Sequence, residues 1–96
     1  MSILTKELRK LGFLCGVEQE LYIQDTGKHT SLIIEGEQEG DDTEYYYDFY
    51  KQTYYPQYKN TITVYGEHMN TSQLLERVER YFINRKKYIE EMKERR

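Results

Sequence analysis

The chain has no tryptophan and no alanine, and only one proline and one cysteine in its 96 residues. A single cysteine excludes an intrachain disulfide framework and fits a reducing compartment. Cys15, His29 and His68 lack the close paired spacing of zinc ligands. They read as a small buried hydrophobe and two surface or loop residues, so neither a metal nor a cofactor is expected. No positioned base and nucleophile stand out, which argues against an enzyme. No apolar run approaches the length that spans a bilayer, and residues 1–6 lack the apolar stretch of a signal peptide. The expectation is a cytoplasmic protein without membrane attachment. The missing alanine and the abundance of Tyr, Ile, Lys and Glu suit an AT-rich coding sequence, as in a low-GC bacterium, a phage or a mobile element.

Tyrosine is abundant. Eight of the eleven tyrosines fall between Tyr45 and Tyr65, with Phe49 among them. Hydrophobic residues are 38% of the chain and charged ones 32%, so the core of a single domain over 1–96 must be thin. Some tyrosines must complete that core. The rest offer aromatic surface whose hydroxyls need water or a partner.

Charge is divided unevenly along the chain. Residues 17–48 carry ten acids against Lys28, a net −9, whereas the remainder carries +6, within an overall −3. A dipolar molecule of this kind steers charged partners or stacks head-to-tail with itself.

The element order reads α-β-β-β-β-α, an α+β fold with an antiparallel sheet of about four strands and both helices on one face. Residues 2–12 predict a short helix capped by Ser2, with Ile3, Leu4, Leu8 and Leu11 as its apolar stripe. Gly12 supplies the left-handed stop, and Phe13 folds back over Leu8. Residues 17–24 alternate as a strand, with Val17, Leu21 and Ile23 inward and Glu18, Glu20 and Tyr22 outward. A turn over residues 25–28 uses Gly27, and a strand over 29–35 follows. Residues 36–43 are too polar and glycine-interrupted to pack, so they predict an exposed loop.

Residues 44–53 form the third strand, with Tyr45, Tyr47 and Phe49 on one face and Tyr46, Asp48 and Tyr50 on the other. After a turn at Pro56, residues 60–65 form the fourth strand, with Ile62 and Val64 inward. Asn70 and Gln73 have the spacing of a capping box, and Leu74, Leu75, Val78, Phe82, Ile89 and Met92 recur at helical spacing to about residue 94. The first half of that helix is expected to cover the sheet. The second half, with Arg85 breaking the heptad seam, projects into solvent or meets another copy in a homodimer.

These features favour a non-enzymatic interaction protein. Tyr46, Asp48 and Tyr50 form its recognition face, and Glu37, Glu39, Asp41 and Asp42 supply charge for docking a basic partner protein. A row of carboxylates can also mimic a phosphate backbone, which suits an inhibitor of a nucleic-acid-binding protein of the phage or mobile-element type. The acidic loop lacks the ordered ligand pattern of an EF-hand and reads as a solvated tip rather than a calcium site. The alternative is a nucleic-acid-binding module that stacks bases on the tyrosine face and holds phosphates with Arg77, Arg80, Arg85, Lys86 and Lys87. The acids inside the tyrosine stretch rank that reading second.

Overall fold

The computed structural model describes residues 2–40 and 43–94, so Asp41 and Asp42 lie outside the described residues. The chain runs α1 (Ile3–Lys10), β1 (Leu14–Val17), β2 (Leu21–Gly27), β3 (Thr30–Gln38), β4 (Tyr45–Thr53), β5 (Thr61–Met69) and α2 (Thr71–Glu94). The five strands form an antiparallel sheet in sequence order, β1-β2-β3-β4-β5. The fold is α+β, with both helices on one face of the sheet. Five strands replace the expected four because β1 is four residues long and carries Gly16, too short to give an alternation.

Local chemistry sets both helices. The Ser2 hydroxyl accepts from the Thr5 amide at 3.1 Å and opens α1. Gly12, at φ 98°, ends it in a Schellman pattern, with the Phe13 amide donating to the Leu8 carbonyl at 2.9 Å. Ile3 is solvent-exposed and does not belong to the apolar stripe, which consists of Leu4 and Leu8 with Leu11 beside them. At α2, the Gln73 amide donates to Asn70 Oδ1 at 2.9 Å and the Asn70 amide to Gln73 Oε1 at 3.0 Å. This is the reciprocal box, closing two orphan donors at once. The helix then runs 24 residues, about 36 Å.

Aromatic rings supply the mass that the scarce aliphatics cannot. Tyr22, Tyr47, Phe13 and Phe49 are fully buried with Leu8, Leu32, Ile34, Leu74 and Val78. Phe49 meets Tyr65 at 5.2 Å and Tyr81 at 5.8 Å, and Tyr65 meets Tyr81 at 4.9 Å, so β4, β5 and α2 are joined by ring contacts. Such pairs contribute about 0.5–1.5 kcal/mol each beyond area burial.

The buried Tyr22 hydroxyl is held by a closed network. Thr5 Oγ1 donates to Glu18 Oε1 at 2.7 Å, so its only proton is taken, and the Tyr22 hydroxyl at 2.7 Å donates to Thr5. The Gln19 amide in turn donates to the Tyr22 oxygen at 2.9 Å. This network turns Tyr22 inward and places Leu21 and Ile23 on the opposite face, the reverse of the expected orientation. On β5 the same reversal occurs. Irregular register opposite Tyr47, Phe49 and Tyr50 brings Tyr65 to the core side and leaves Ile62 and Val64 outside.

Other boundaries shift with pairing. β3 continues through Gln38 because Gly36, Glu37 and Gln38 pair with Tyr47, Tyr46 and Tyr45, so the exposed loop starts later than expected. The β2–β3 turn sits at Lys28 and His29 rather than over 25–28, and Gly27 pairs with Thr30 without positive φ.

Candidate functional site

Helices cover only one face of the sheet. The register places a continuous row across the other face, Leu14–Ile23–Ile33–Tyr50–Val64, one residue from each strand. Four interstrand steps make it about 19 Å long. Leu14 is 76% exposed, Val64 49% and, one row along, Ile62 59%. Ile23, Ile33 and Tyr50 are half-buried by their neighbours in the sheet. The second row runs Leu21–Glu35–Asp48, and a third pairs Glu37 with Tyr46. An apolar stripe therefore lies directly beside a carboxylate-rich strip.

That strip borders a depression of about 410 Å³ lined by Glu20, Leu21, Glu35, Gly36, Glu37, Glu39, Tyr46, Asp48 and His68. Five carboxylates converge there. Among the described residues none of the five forms an ion pair with Lys or Arg, and Glu39 meets only His68 Nδ1, at 3.2 Å. Tyr50 donates its hydroxyl to Glu35 Oε1 at 2.6 Å. Burial first, and that bond to the carboxylate second, hold the Tyr50 phenol in its neutral form well above the usual tyrosine range. The phenol is a fixed donor at neutral pH, not an adjustable one.

His68 shapes the rim. It lies in the β5 irregularity at φ 50°, a left-handed conformation that is costly for a side-chain-bearing residue. Its amide donates to Asp48 Oδ1 at 2.9 Å, and its ring stacks on Tyr46 with centroids 4.3 Å apart. Backbone strain maintained by specific partners is typical of sites where geometry matters.

Of the sequence-derived residues, Tyr46, Asp48, Tyr50, Glu37 and Glu39 are brought together on this face, with Tyr46 and Tyr50 half-buried rather than freely exposed. Asp41 and Asp42 lie outside the described residues. Arg77, Arg80, Arg85, Lys86 and Lys87 belong to α2, on the helix side of the sheet. Arg77 Nε donates to the Tyr65 carbonyl at 2.9 Å, with its guanidinium 5.4 Å from the Tyr65 ring. Arg80 pairs with Glu76, and Arg85 reaches the Thr26 carbonyl at 3.4 Å. The sheet separates these bases from Tyr46 and Tyr50, so they do not form one surface with them.

The exposed second half of α2, with Tyr88, Ile89 and Met92, continues the core stripe beyond the sheet. Cys15 lies on β1 opposite Tyr22, whereas His29 lies in the distant β2–β3 turn. Burial, then Glu18, push the Cys15 thiol up. No group of three or more His, Cys, Asp or Glu able to hold a metal occurs among the described residues.

Sequence reasoning missed Leu14, Ile23, Ile33 and Val64, together with Glu20, Glu35 and His68. The available signal was that β2 and β5 are apolar at both parities, Tyr22 and Tyr65 alternating with aliphatic neighbours. A sheet with two apolar parities has two apolar faces, and only one of them can be covered by two helices.

No protein-family model matches the chain, and no solved structure matches it. Over 94 residues it is 33% identical to the uncharacterized protein YddA of Bacillus subtilis (strain 168), covering 95% of this chain and 92% of that one. No helix among the described residues is long and apolar enough to cross a membrane.

Proposed function

The chain belongs to the same family as YddA of Bacillus subtilis, and we propose that it is a small non-enzymatic interaction protein. In this reading it docks a basic partner protein on the open face of its sheet. The observation that carries the reading is the apolar row from Leu14 to Val64 lying against five carboxylates that no Lys or Arg neutralises among the described residues. Apolar area supplies affinity, and the rings of Tyr46 and Tyr50 anchor at low entropic cost. The carboxylates steer a basic surface toward the row and reject acidic ones. Glu35, Glu37 and Glu39 recur every second residue along β3 and beyond, a spaced row of charge able to occupy a site built for phosphates. This supports the narrower reading of an inhibitor that blocks a nucleic-acid-binding protein.

The experiment is capture from native host lysate, followed by calorimetry with the purified partner. Glu35→Lys/Glu37→Lys and Ile33→Asp are expected to abolish capture, and Glu79→Lys on the far side of the molecule to leave it intact. Equal capture by all four proteins would refute the assignment.

A further inference from the structure

The end of the sheet remote from the acidic depression carries features that the docking face does not use. The β2–β3 turn and the β4–β5 connection over residues 54–60 meet there, with the Tyr54 amide donating to the His29 carbonyl at 2.7 Å. Arg85 joins α2 to the same end through the Thr26 carbonyl. Tyr54, Tyr55 and Tyr58 all project into solvent, Tyr58 at 78% exposure. The rings of Tyr55 and Tyr58 stand 83° to each other, centroids 6.5 Å apart. With His29, Pro56 and Gln57 they wall an open apolar notch of about 250 Å³. Exposed rings at a loop tip contribute nothing to the core.

The charge there is opposite to that of the docking face. Lys28 and Lys59 are exposed in these two connections, Arg85 reaches the same end, and among the described residues none of the three pairs with a carboxylate. Nine-residue strands separate this end from the acidic one by about 30 Å, several times the roughly 8 Å Debye length at physiological salt. The overall −3 therefore does not cancel the local positive field.

We propose that this end binds single-stranded nucleic acid, with bases stacking on Tyr55 and Tyr58 and phosphates held by Lys28 and Lys59, with Arg85 adding to the field. Aromatic platforms in a basic field are the recognition chemistry of unpaired strands, whose bases have free faces. A duplex hides those faces, so the rings favour the single strand. The site is distinct from the tyrosine face of the sheet: it uses other tyrosines and lies in a field of the correct sign.

Fluorescence anisotropy with labelled twenty-base oligo-dT and oligo-rU tests it on the full chain, and the two arms separate DNA from RNA. Binding to at least one is expected. With two or three phosphates neutralised, affinity falls about 7- to 18-fold between 50 and 200 mM salt. Tyr55→Ala/Tyr58→Ala is expected to weaken binding about 10-fold or more at constant salt without flattening that slope. Lys28→Gln/Lys59→Gln is expected to weaken it and flatten the slope. Glu44→Gln, at the acidic end of the sheet, is expected to leave oligonucleotide binding unchanged, and none of the residues varied belongs to the docking face, which keeps this test independent of partner capture. Circular dichroism of each variant confirms that these surface changes leave the fold intact. No binding of either strand at 50 mM salt, or binding that the tyrosine pair does not weaken, overturns the proposal. So does a finding that these variants disrupt only assembly of the chain with itself, because the end would then seat the acidic face of a second copy.

Discussion

Tyr46 and His68 lie ring on ring, 4.3 Å apart and 3° from parallel, although His68 must take a φ of 50° to reach that position. The stack and the Asp48 carboxylate on the His68 amide together keep β5 in a conformation that its backbone disfavours. Two substitutions separate these effects. His68→Ala loses the stack and keeps the strain, so denaturant unfolding should show a loss of about 1 kcal/mol. His68→Gly also loses the stack but adopts positive φ freely, so it should be more stable than His68→Ala, against the usual order for a strand. Equal or lower stability for the glycine variant would show that the left-handed position carries no strain.

Acid should release α1 from the sheet. Glu18 is held near a pKa of about 2, first by the Ser2 amide and then by the Thr5 hydroxyl, both donating to Oε1. A lowered folded-state pKa means that this contribution is fully present above the ordinary carboxylate value of 4.5 and is lost as pH falls from there toward 2. Wild type should be more stable than Glu18→Gln above pH 5, with the two converging near pH 2. Paired denaturation curves across that range provide the check.

Alkali should act through the tyrosines. Burial raises Tyr47 to about 12 and Tyr50 beyond the usual tyrosine range. A raised phenol favours the neutral form in the fold, so stability is whole below pH 10 and is lost as pH rises through the folded values. Ultraviolet titration should show ionisation of Tyr47 and Tyr50 delayed until the fold opens. Tyr50→Phe should soften the alkaline loss of stability.

Gly36 permits the close approach of β3 to the β1–β2 turn. A Cβ there would lie 2.2 Å from the Gln19 carbonyl and 2.5 Å from the Tyr47 ring, and the Gly36 amide donates to the Glu20 carbonyl at 2.8 Å. Gly36→Ala should therefore cost about 3 kcal/mol or more by thermal unfolding. Gly40→Ala is a useful contrast. It meets no atom within 4 Å and adds strain only through its φ of 54°, about 1 kcal/mol.

Local chemistry explains why the helices were legible. The Ser2 cap, the Gly12–Phe13 stop and the Asn70–Gln73 box each depend on residues a few positions apart. The faces of β4 were legible for the same reason, since strict alternation assigns Tyr46, Asp48 and Tyr50 to one side. The faces of β2 and β5 were not, because Tyr22 and Tyr65 compete with aliphatic neighbours for the interior. Distant partners decide the outcome: Thr5 for Tyr22, and Tyr81 with Arg77 for Tyr65. The apolar row follows from those two reversals and from β1, so it could not emerge before the strands were paired.

The most direct measurement is amide chemical-shift mapping of the labelled chain with the captured basic partner. The account predicts the largest changes at Leu14, Ile23, Ile33, Glu35, Tyr46, Tyr50 and Val64, with α2 unmoved. Changes confined to α2, with those strand residues unaffected, would contradict it.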